Sequence, residues 1–322
     1  MAQSGLFVGL ITLDFLYLAP EFPRSNQKIV AADFTVAAGG PATNAAVTFA
    51  HLGNPAKVCG VLGCDPLAAI IRAELSQQQV EIIDLLPDST IVPPISSVII
   101  TQGTGDRAVI SLNASKNQAG IENLSPENLA GMLVGMGLVL IDGHQLEVGL
   151  AIAKTAQSLG IPTVLDGGSW KQGLEKLLPS IDYAICSSNF HPPNCANQSD
   201  VIAYLTNQKI KHVAITKGAE SIIYLINTEI NNKLVKKDKN QNNPSEHELV
   251  NGDQYPVNYQ TGKIKIPQTL VVDTLGAGDI YHGAFCYYLL NGLDFISALA
   301  AAVKIARKSC CHFGTRSWMN SL

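Results

Sequence analysis

Charged residues are scarce in this chain, and positive charge is not in excess. They make up 15% of the sequence, with 22 lysines and arginines against 26 aspartates and glutamates, which gives a formal net charge of −4. No basic stripe stands out along the chain. Because nucleic acids and anionic membranes attract clustered positive charge, we expect neither as a partner.

Cysteine pairs of the kind that hold zinc or build a disulfide framework are missing. The seven cysteines are odd in number and irregular in spacing, and no Cys-x-x-Cys occurs. The sequence therefore predicts ordinary buried thiols in a reducing compartment and no structural zinc.

Long apolar runs and targeting signals are also missing. The first residues, "MAQSGLFVGLITLDFL", are apolar but lack a positively charged start, and Asp14 interrupts them. They are predicted to form a strand rather than a signal peptide, and no apolar run is long enough to cross a bilayer. We expect a cytoplasmic protein.

Two glycine-rich nucleotide-binding motifs do not occur. No Gly-x-Gly-x-x-Gly follows the first predicted strand, which disfavours a dehydrogenase. There is no Walker A sequence either, so any nucleotide phosphates must be held in another way.

The chain does contain alternating strand and helix patterns. Its 322 residues, 47% of them hydrophobic, suffice for one sizeable domain or two small ones. The segment 6–16 is predicted to be one buried strand, and "GGPATNAAVTFAHLG" a glycine turn followed by a helix. Further on, "GLVLIDG", "IPTVLDGG" and "IDYAICSS" are typical of buried strands, and each precedes a predicted helix, "WKQGLEKLL" being the second. This alternation favours an α/β fold with a central, mainly parallel sheet flanked by helices.

Two segments depart from the alternation. "ISSVIITQGTGDRAVISL", residues 95–112, has two β-rich arms around a glycine-containing turn, which predicts a hairpin in a small β appendage. Residues 227–262 are rich in asparagine and lysine and nearly free of apolar periodicity. They predict a polar surface insertion, for which a solvated loop is favoured over a lysine-rich docking site.

The stretch "DTLGAGD", residues 273–279, carries the clearest chemistry. A helix pattern follows it, and the first turn of a helix offers free N–H groups and partial positive charge. Gly276, Ala277 and Gly278 let an anion approach that turn closely, so they predict an anion hole. Asp279 beside it suits removal of a proton from a nucleophile during phosphoryl transfer. Taken alone, however, the residues favour Asp279 as a simple helix cap at least as strongly.

The chain resembles the ribokinase-like carbohydrate kinases, or PfkB family. "DTLGAGD" fits that family's D-T-x-G-A-G-D signature, and "GGPATNAA", residues 39–46, fits the N-terminal one. The resemblance runs from Asp14 to the region of Arg316, apart from the insertion. It implies a ribokinase-like α/β fold in a single domain over residues 1–322. A small β-sheet lid would form from segments near 14–40 and 91–113.

The resemblance also assigns roles to residues. It implies that Asp279 is the catalytic base and that the turn 276–278 stabilises the transferred phosphoryl group. Asp14, Gly39, Gly40 and Asn44 fall where the family binds sugar hydroxyls. For Asn44 a helix cap and for the two glycines a tight turn are equally compatible with their residue types.

The nucleotide side matches the family less well. In "AITKGAES", Thr216, Lys217 and Gly218 fall where the family lines the ATP site, but Ser221 replaces a family glycine. In "AICSSNFHPP", Ser187 or Asn189 fits the asparagine of the family's N-x-x-E, and no carboxylate follows at the glutamate position. The resemblance implies ATP and Mg²⁺, and we expect Mg²⁺ to be held mostly by ATP phosphates and water.

Further candidates follow from position. His144 in "IDGHQ" ends a predicted strand and is expected to face the sugar or to be structural, and Arg107 on the hairpin is expected to reach substrate or solvent. Asp166 in "VLDGG" ends another strand at the same predicted cleft, or caps the helix after it. Asp273 falls where some relatives bind a monovalent cation, which makes K⁺ a further expectation.

The sequence thus predicts an ATP-dependent kinase that phosphorylates a hydroxyl, most often a primary one, of a small carbohydrate. "GGP" followed by "TN" leans towards fructokinase and ketohexokinase relatives. Two alternatives stay open: a nucleoside kinase of adenosine-like specificity, and a sugar- or nucleotide-binding homologue with weakened catalysis. The resemblance also makes a homodimer through the lid an expectation.

Overall fold

A computed structural model describes residues 3–112, 117–231, 247–249 and 258–321. The strands in chain order are β1 (Ser4–Val8), β2 (Thr12–Ala19), β3 (Asp33–Gly39), β4 (Ala56–Gly60), β5 (Val80–Asp84), β6 (Ile95–Thr101), β7 (Arg107–Ser111), β8 (Met136–Ile141), β9 (Thr163–Gly167), β10 (Tyr183–Ser187), β11 (His212–Lys217), β12 (Glu220–Asn227), β13 (His247–Leu249) and β14 (Tyr259–Ile264). The α-helices are α1 (Pro41–His51), α2 (Pro66–Gln77), α3 (Pro126–Leu133), α4 (Leu146–Ser158), α5 (Gln198–Asn207), α6 (Thr228–Asn231), α7 (Ala277–Leu290) and α8 (Phe295–Cys310).

The large sheet has the order β13-β14-β12-β11-β10-β9-β8-β1-β4-β5 within the described residues. Seven neighbouring strands of this sheet, β5, β4, β1, β8, β9, β10 and β11, pair in parallel. Strands β12, β14 and β13 extend the sheet with antiparallel pairing. The mainly parallel α/β core predicted from the alternation is confirmed. No helix among these residues is long and apolar enough to span a membrane.

Helices cover both faces of this sheet. In β1, Phe7 packs with α1, α7 and α8, whereas Leu6 and Val8 pack with α3, α4 and α5 on the other face. Successive side chains of a strand point to opposite faces, so a strand covered on both sides must be apolar throughout. This double burial explains the near-continuous apolar runs of the sequence.

A second sheet of four strands, in the order β3-β2-β6-β7, forms the lid within the described residues. The hairpin predicted in residues 95–112 is β6 and β7, paired antiparallel. One face of the sheet carries Leu16, Val98 and Ile100, which form a small core of their own with Leu275 and Phe313 packed against it. The lid is thereby anchored to the segment that precedes α7.

Three sequence predictions about elements were wrong in part. The single strand predicted at 6–16 is two strands, β1 in the large sheet and β2 in the lid, because the chain turns at Gly9 and Leu10. The helix predicted in "WKQGLEKLL" is replaced by two short 3₁₀ turns, Leu174–Lys176 and Leu178–Ser180.

The third error concerns the polar insertion, which was given too long a range. Tyr259 to Gly262 belong to β14, whose backbone pairs with β12, and Tyr259 is buried. Only Tyr259 and Thr261 alternate with other residues before the period breaks at Lys263 and Ile264, which was too weak a strand signal among so many asparagines. Residues 232–246 and 250–257 of the predicted insertion lie outside the described part.

Candidate active site

The site lies where the carboxyl ends of the parallel strands meet the lid. A cleft of about 470 Å³ opens there. Its walls come from the β1–β2 turn, the glycine turn before α1, the lid and the start of α7, through Leu10, Thr12, Asp14, Gly40, Asn44, Pro94, Ser96, Ser111, Leu112, His144, Leu275, Gly276 and Asp279. This is the edge at which open α/β sheets bind ligands.

The turn before α7 fits the anion hole predicted from the sequence. Gly276 is the residue that precedes the helix, in a left-handed conformation with φ 67°, and no side chain caps the helix there. The open side of the turn is at Gly278, where an added Cβ would meet no atom within 4 Å. The amide of Ala277 donates to the carbonyl oxygen of Thr274 at 3.3 Å, so the amides of Gly276 and Gly278 are the better candidates to bind an anion.

Asp279 does not cap the helix, so the interpretation of this residue as a simple helix cap is wrong. It lies in the first turn of α7, and its Oδ2 accepts a hydrogen bond from Asn44 Nδ2 at 2.9 Å. Burial and the nearby charge of Asp166 raise the pKa of Asp279 to about 7, although Asn44 and His282 oppose the shift. A carboxyl group with such a pKa can take up a proton near neutral pH.

Asp14 and the glycine pair form the opposite wall. Asp14 Oδ1 accepts a hydrogen bond from Thr12 Oγ1 at 2.8 Å. Burial raises the pKa of Asp14, while hydrogen bonds from Thr12 and Ser96 and the charge of Arg316 act against that shift. A Cβ on Gly39 would lie 1.8 Å from Asp14 Oδ2, so the carboxylate occupies space that only glycine leaves open. Gly40, at φ 97°, leads into α1 and Asn44.

Asp142 was missed by the sequence analysis and organises the floor of the cleft. Its carboxylate accepts hydrogen bonds from the amides of Leu10 (2.9 Å), Ala42 (3.2 Å) and His144 (2.8 Å). Burial alone would raise its pKa, but His144, Lys171 and the Leu10 amide outweigh burial and lower the pKa of Asp142 to about 2. The signal was available, because Asp142 ends its strand in "LIDG" as Asp166 does in "VLDG".

His282 and Arg316 were also missed, and both lie close to Asp279. The buried ring of His282 contacts the carbonyl oxygen of Gly278 at 2.7 Å and that of Ile185 at 3.1 Å. Its Nδ1 lies 3.4 Å from Oδ2 of the buried Asp166. This predicted site residue therefore lies beside His282 and close to Asp279, and it does not act as a helix cap. Arg316 donates to Asn44 Oδ1 at 2.9 Å. The i, i+3 spacing of Asp279 and His282 on the predicted helix was a usable signal, whereas no spacing in the sequence links Arg316 to residue 279.

Two other candidates lie near the turn rather than in the cleft wall. Arg107 donates to the carbonyl oxygen of Thr274 at 3.0 Å and to its Oγ1 at 2.8 Å, which ties the lid to the anion-hole segment. Asp273 accepts from the amides of Leu275 (2.7 Å) and Gly314 (2.9 Å), and burial raises its pKa. Its expected role at a cation remains a prediction.

The nucleotide-side candidates gather at the ends of β10 and β11. Ser187 and Thr216 are register partners, and Ser187 Oγ donates to Gly168 O at 2.8 Å and accepts from the amide of Asn189 at 3.0 Å. Lys217 and Ser187 both border a separate pocket of about 200 Å³, and Gly218 turns the chain with φ 54°. Within the described residues, no three or more His, Cys, Asp or Glu side chains form a metal-binding cluster.

Comparison with known proteins decides the family. The model of the pfkB family of carbohydrate kinases matches residues 3–243 and 253–321. The chain belongs to this family. It is accordingly a phosphotransferase with an alcohol group as acceptor.

Ribokinases are among the relatives of this carbohydrate kinase. It is 24% identical to the ribokinase of Lactococcus lactis, over 98% of this chain and 93% of the relative, and 24% identical to that of Arabidopsis thaliana, over 95% and 75%. Among solved structures, Arabidopsis ribokinase complexed with ribose and ATP matches with a TM-score of 0.69 and 20% identity, over 99% of this chain and 98% of that one. Adenosine kinase from Schistosoma mansoni in complex with 2-fluoroadenosine matches with a TM-score of 0.70 and 15% identity, over 99% and 98%. At these identities the structures show the shared ribokinase-like fold.

Proposed function

We propose that this kinase transfers the γ-phosphate of ATP to a hydroxyl of a small carbohydrate, with Asp279 as the base. The observation that carries the proposal is the placement of Asp279. Its carboxyl group, with a pKa of about 7, faces the same cleft as Asp14 and Asn44 and lies at the open glycine turn of α7. Acceptor, base and phosphoryl site are thus within one cleft.

The chemistry follows from this arrangement. An acceptor hydroxyl held by Asp14, Asn44 and the amide of Gly40 gives its proton to Asp279 while its oxygen forms a bond to the γ-phosphorus. The bond from the γ-phosphorus to the bridging oxygen breaks, and ADP leaves. Helix N–H groups at 276–278 offset the negative charge on the phosphoryl oxygens during transfer.

ATP is proposed to approach along the ends of β10 and β11, past Ser187, Asn189, Thr216, Lys217 and Gly218. The residue three positions after Asn189 is Pro192, so no carboxylate is available there for Mg²⁺. Mg²⁺ therefore belongs to the substrate, carried by the ATP phosphates, as is usual for this ion. We propose that Asp273 lies next to a bound K⁺.

A second acceptor class has an observation in its favour. A relative by fold, the Schistosoma adenosine kinase, binds 2-fluoroadenosine. The half-exposed Val109 and Leu112 at the lid edge offer an apolar surface that a nucleobase, rather than a sugar, would contact. We consider a nucleoside acceptor less well supported than a sugar, because polar side chains dominate the wall of the cleft.

An acceptor panel tests the proposal. ATP consumption is measured with ribose, fructose and adenosine, for the wild-type chain and for Asp279→Asn, with Asp294→Asn at the cap of α8 as a matched control. We expect turnover with at least one sugar, a loss of about 10²–10⁴-fold in Asp279→Asn, and no loss in the control. Binding of a sugar without any ATP consumption would favour the weakened homologue, and full activity of Asp279→Asn would refute the base.

We further propose that a second copy of the chain covers the outer lid face, defined here as Tyr17, Phe34, Ile99 and Ile110. Phe15 on the same face already packs against the core of the large sheet. Phe34 is 49% and Ile110 75% exposed, and the rings of Phe15 and Tyr17 lie 6.4 Å and 5.0 Å from that of Phe34. A contiguous apolar surface of this kind is typical of an interface.

A further inference from the structure

The guanidinium group of Arg316 lies one residue away from the proposed base. Its NH1 donates to Asn44 Oδ1 at 2.9 Å, its Nε to Glu74 Oε1 at 2.9 Å, and its NH2 to the carbonyl oxygen of Ala38 at 2.6 Å. The same NH1 also donates to Thr315 Oγ1 at 2.9 Å. All three nitrogens of the planar fork are therefore engaged, which holds the group in one orientation.

That orientation decides which way the Asn44 amide points. A side-chain amide has an accepting oxygen and a donating nitrogen of nearly the same shape, and its surroundings determine which faces which neighbour. Arginine can only donate, so the oxygen of Asn44 must face Arg316. The NH₂ group is then left to face Asp279, whose Oδ2 it contacts at 2.9 Å.

We propose that Arg316 is a positioning residue for phosphoryl transfer: by fixing the Asn44 amide, it holds the donor that orients Asp279. The inference rests on the proposed function, because it assumes that Asp279 is the base. Arg316 itself does not need to touch the acceptor.

The placement of Glu74 supports a dedicated role. The side chains of Arg316 and Glu74 are only 17% and 16% exposed, so the charged pair is withdrawn from solvent. Glu74 lies on α2, Ala38 on β3 of the lid, Asn44 on α1 and Asp279 on α7. Arg316 thus bonds directly to three elements, α2, β3 and α1, and reaches α7 through Asn44, at the point where the lid meets the base.

The charged groups around Arg316, Asn44 and Asp279 set the expected direction of a pH effect. Asp166 from β9, Asp142 after β8 and His282 on α7 act on Asp279, and Asp14 on β2 and Glu74 on α2 face Arg316. Burial and Asp166 raise the pKa of Asp279, and the Asn44 hydrogen bond lowers it. When the Asn44 amide is free to rotate, that lowering is lost and the base titrates at higher pH.

The test is the pH profile of kcat/KM with the acceptor that turns over fastest among ribose, fructose and adenosine. Arg316→Met keeps the length of the side chain without its donors, and Arg316→Lys keeps the charge without the fork. Arg72→Met is the matched control, since Arg72 likewise pairs with a buried carboxylate, Asp84, at 2.5 Å, and lies on α2 as Glu74 does. Thermal melting of each variant establishes that it is folded.

In Arg316→Met we expect the inflection of the acidic limb to move up by about one pH unit, with activity recovering at high pH. Arg316→Lys should move the inflection in the same direction by a smaller amount. If Arg316→Met does not fold, the test relies on Arg316→Lys. The Arg72→Met inflection should not move. A uniform drop in kcat/KM at an unmoved inflection would overturn the positioning role. Activity in Asp279→Asn would instead refute the base, whatever Arg316 does.

Discussion

Asp279 shows at the residue scale how one side chain fits two hypotheses until its partners are known. A carboxylate after a glycine turn is typical of a helix cap, and a cap would bond to the first amides of its own helix. Here Oδ2 accepts from Asn44 on another helix, and Gly276 takes the capping position. The carboxyl group is left beside the cleft, where it can exchange a proton with a ligand.

A pH dependence follows from the environment of this carboxyl group. Because burial and Asp166 raise the pKa of Asp279 to about 7, the group is protonated below that pH and cannot accept a proton from the acceptor. We therefore expect kcat/KM of the wild-type enzyme to rise with pH up to an inflection near 7 and to level off above it. Steady-state kinetics in buffers of constant ionic strength measure this. An inflection near 4, the ordinary range of an aspartate, would contradict the assignment.

Gly39 makes a second prediction at this scale. A Cβ there would meet Asp14 Oδ2 at 1.8 Å, so Gly39→Ala must displace the carboxylate proposed to bind the acceptor. We expect KM for the acceptor to rise roughly tenfold or more, from the loss of one charged hydrogen bond, with KM for ATP unchanged. Gly131→Ala is the control, because its Cβ would meet nothing within 4 Å. An equal rise of both KM values would mean that the whole cleft had been distorted.

At the scale of elements, the sequence predicted what depends on local pattern. The helix after "GGP" and the hairpin of residues 95–112 were both found, since glycine turns and periodicity are local signals. The division of residues 6–16 into strands of two sheets was not found, because both strands are equally apolar and only tertiary pairing separates them. Arg316 was missed for the same reason, because its partners Asn44, Glu74 and Ala38 lie far away in the chain.

Helix α7 depends on such a long-range contact at its first turn. The ring of His282 lies between the carbonyl oxygen of Gly278 and that of Ile185 in the middle of β10. His282→Phe keeps a ring but loses the N–H donor that faces these carbonyl oxygens, and we expect a loss of about 1–3 kcal/mol in the free energy of unfolding together with a lower kcat. Chemical denaturation and steady-state kinetics measure the two effects.

The matched control is His312→Phe. His312 makes the same kind of contact to the carbonyl oxygen four residues earlier, Nδ1 to Lys308 O at 3.0 Å, but it is partly exposed and lies two residues beyond the end of α8. It should leave kcat unchanged. If both variants lost the same stability and neither lost turnover, α7 would not need the contact to position Asp279.

At the scale of the whole molecule, the lid has two faces with opposite tasks. The inner face supplies Asp14, Ser96 and Ser111 to the cleft, and the register of β2, β6 and β7 places apolar side chains on the outer lid face. An apolar inner core of three buried residues is small for a sheet of four strands. A partner on the outer face would add the burial that a sheet of this kind needs for rigidity.

The dimer proposed on this face can be tested by light scattering coupled to gel filtration. We expect the wild-type chain to have twice the monomer mass of 34.3 kDa at micromolar concentration. Ile110→Arg should shift it to monomer and raise KM for the acceptor, because the lid that carries Asp14 would lose its support. Val134→Arg, at a site 76% exposed outside the lid, should change neither property. A wild-type monomer, or an Ile110→Arg dimer, would show that the outer lid face is not the interface.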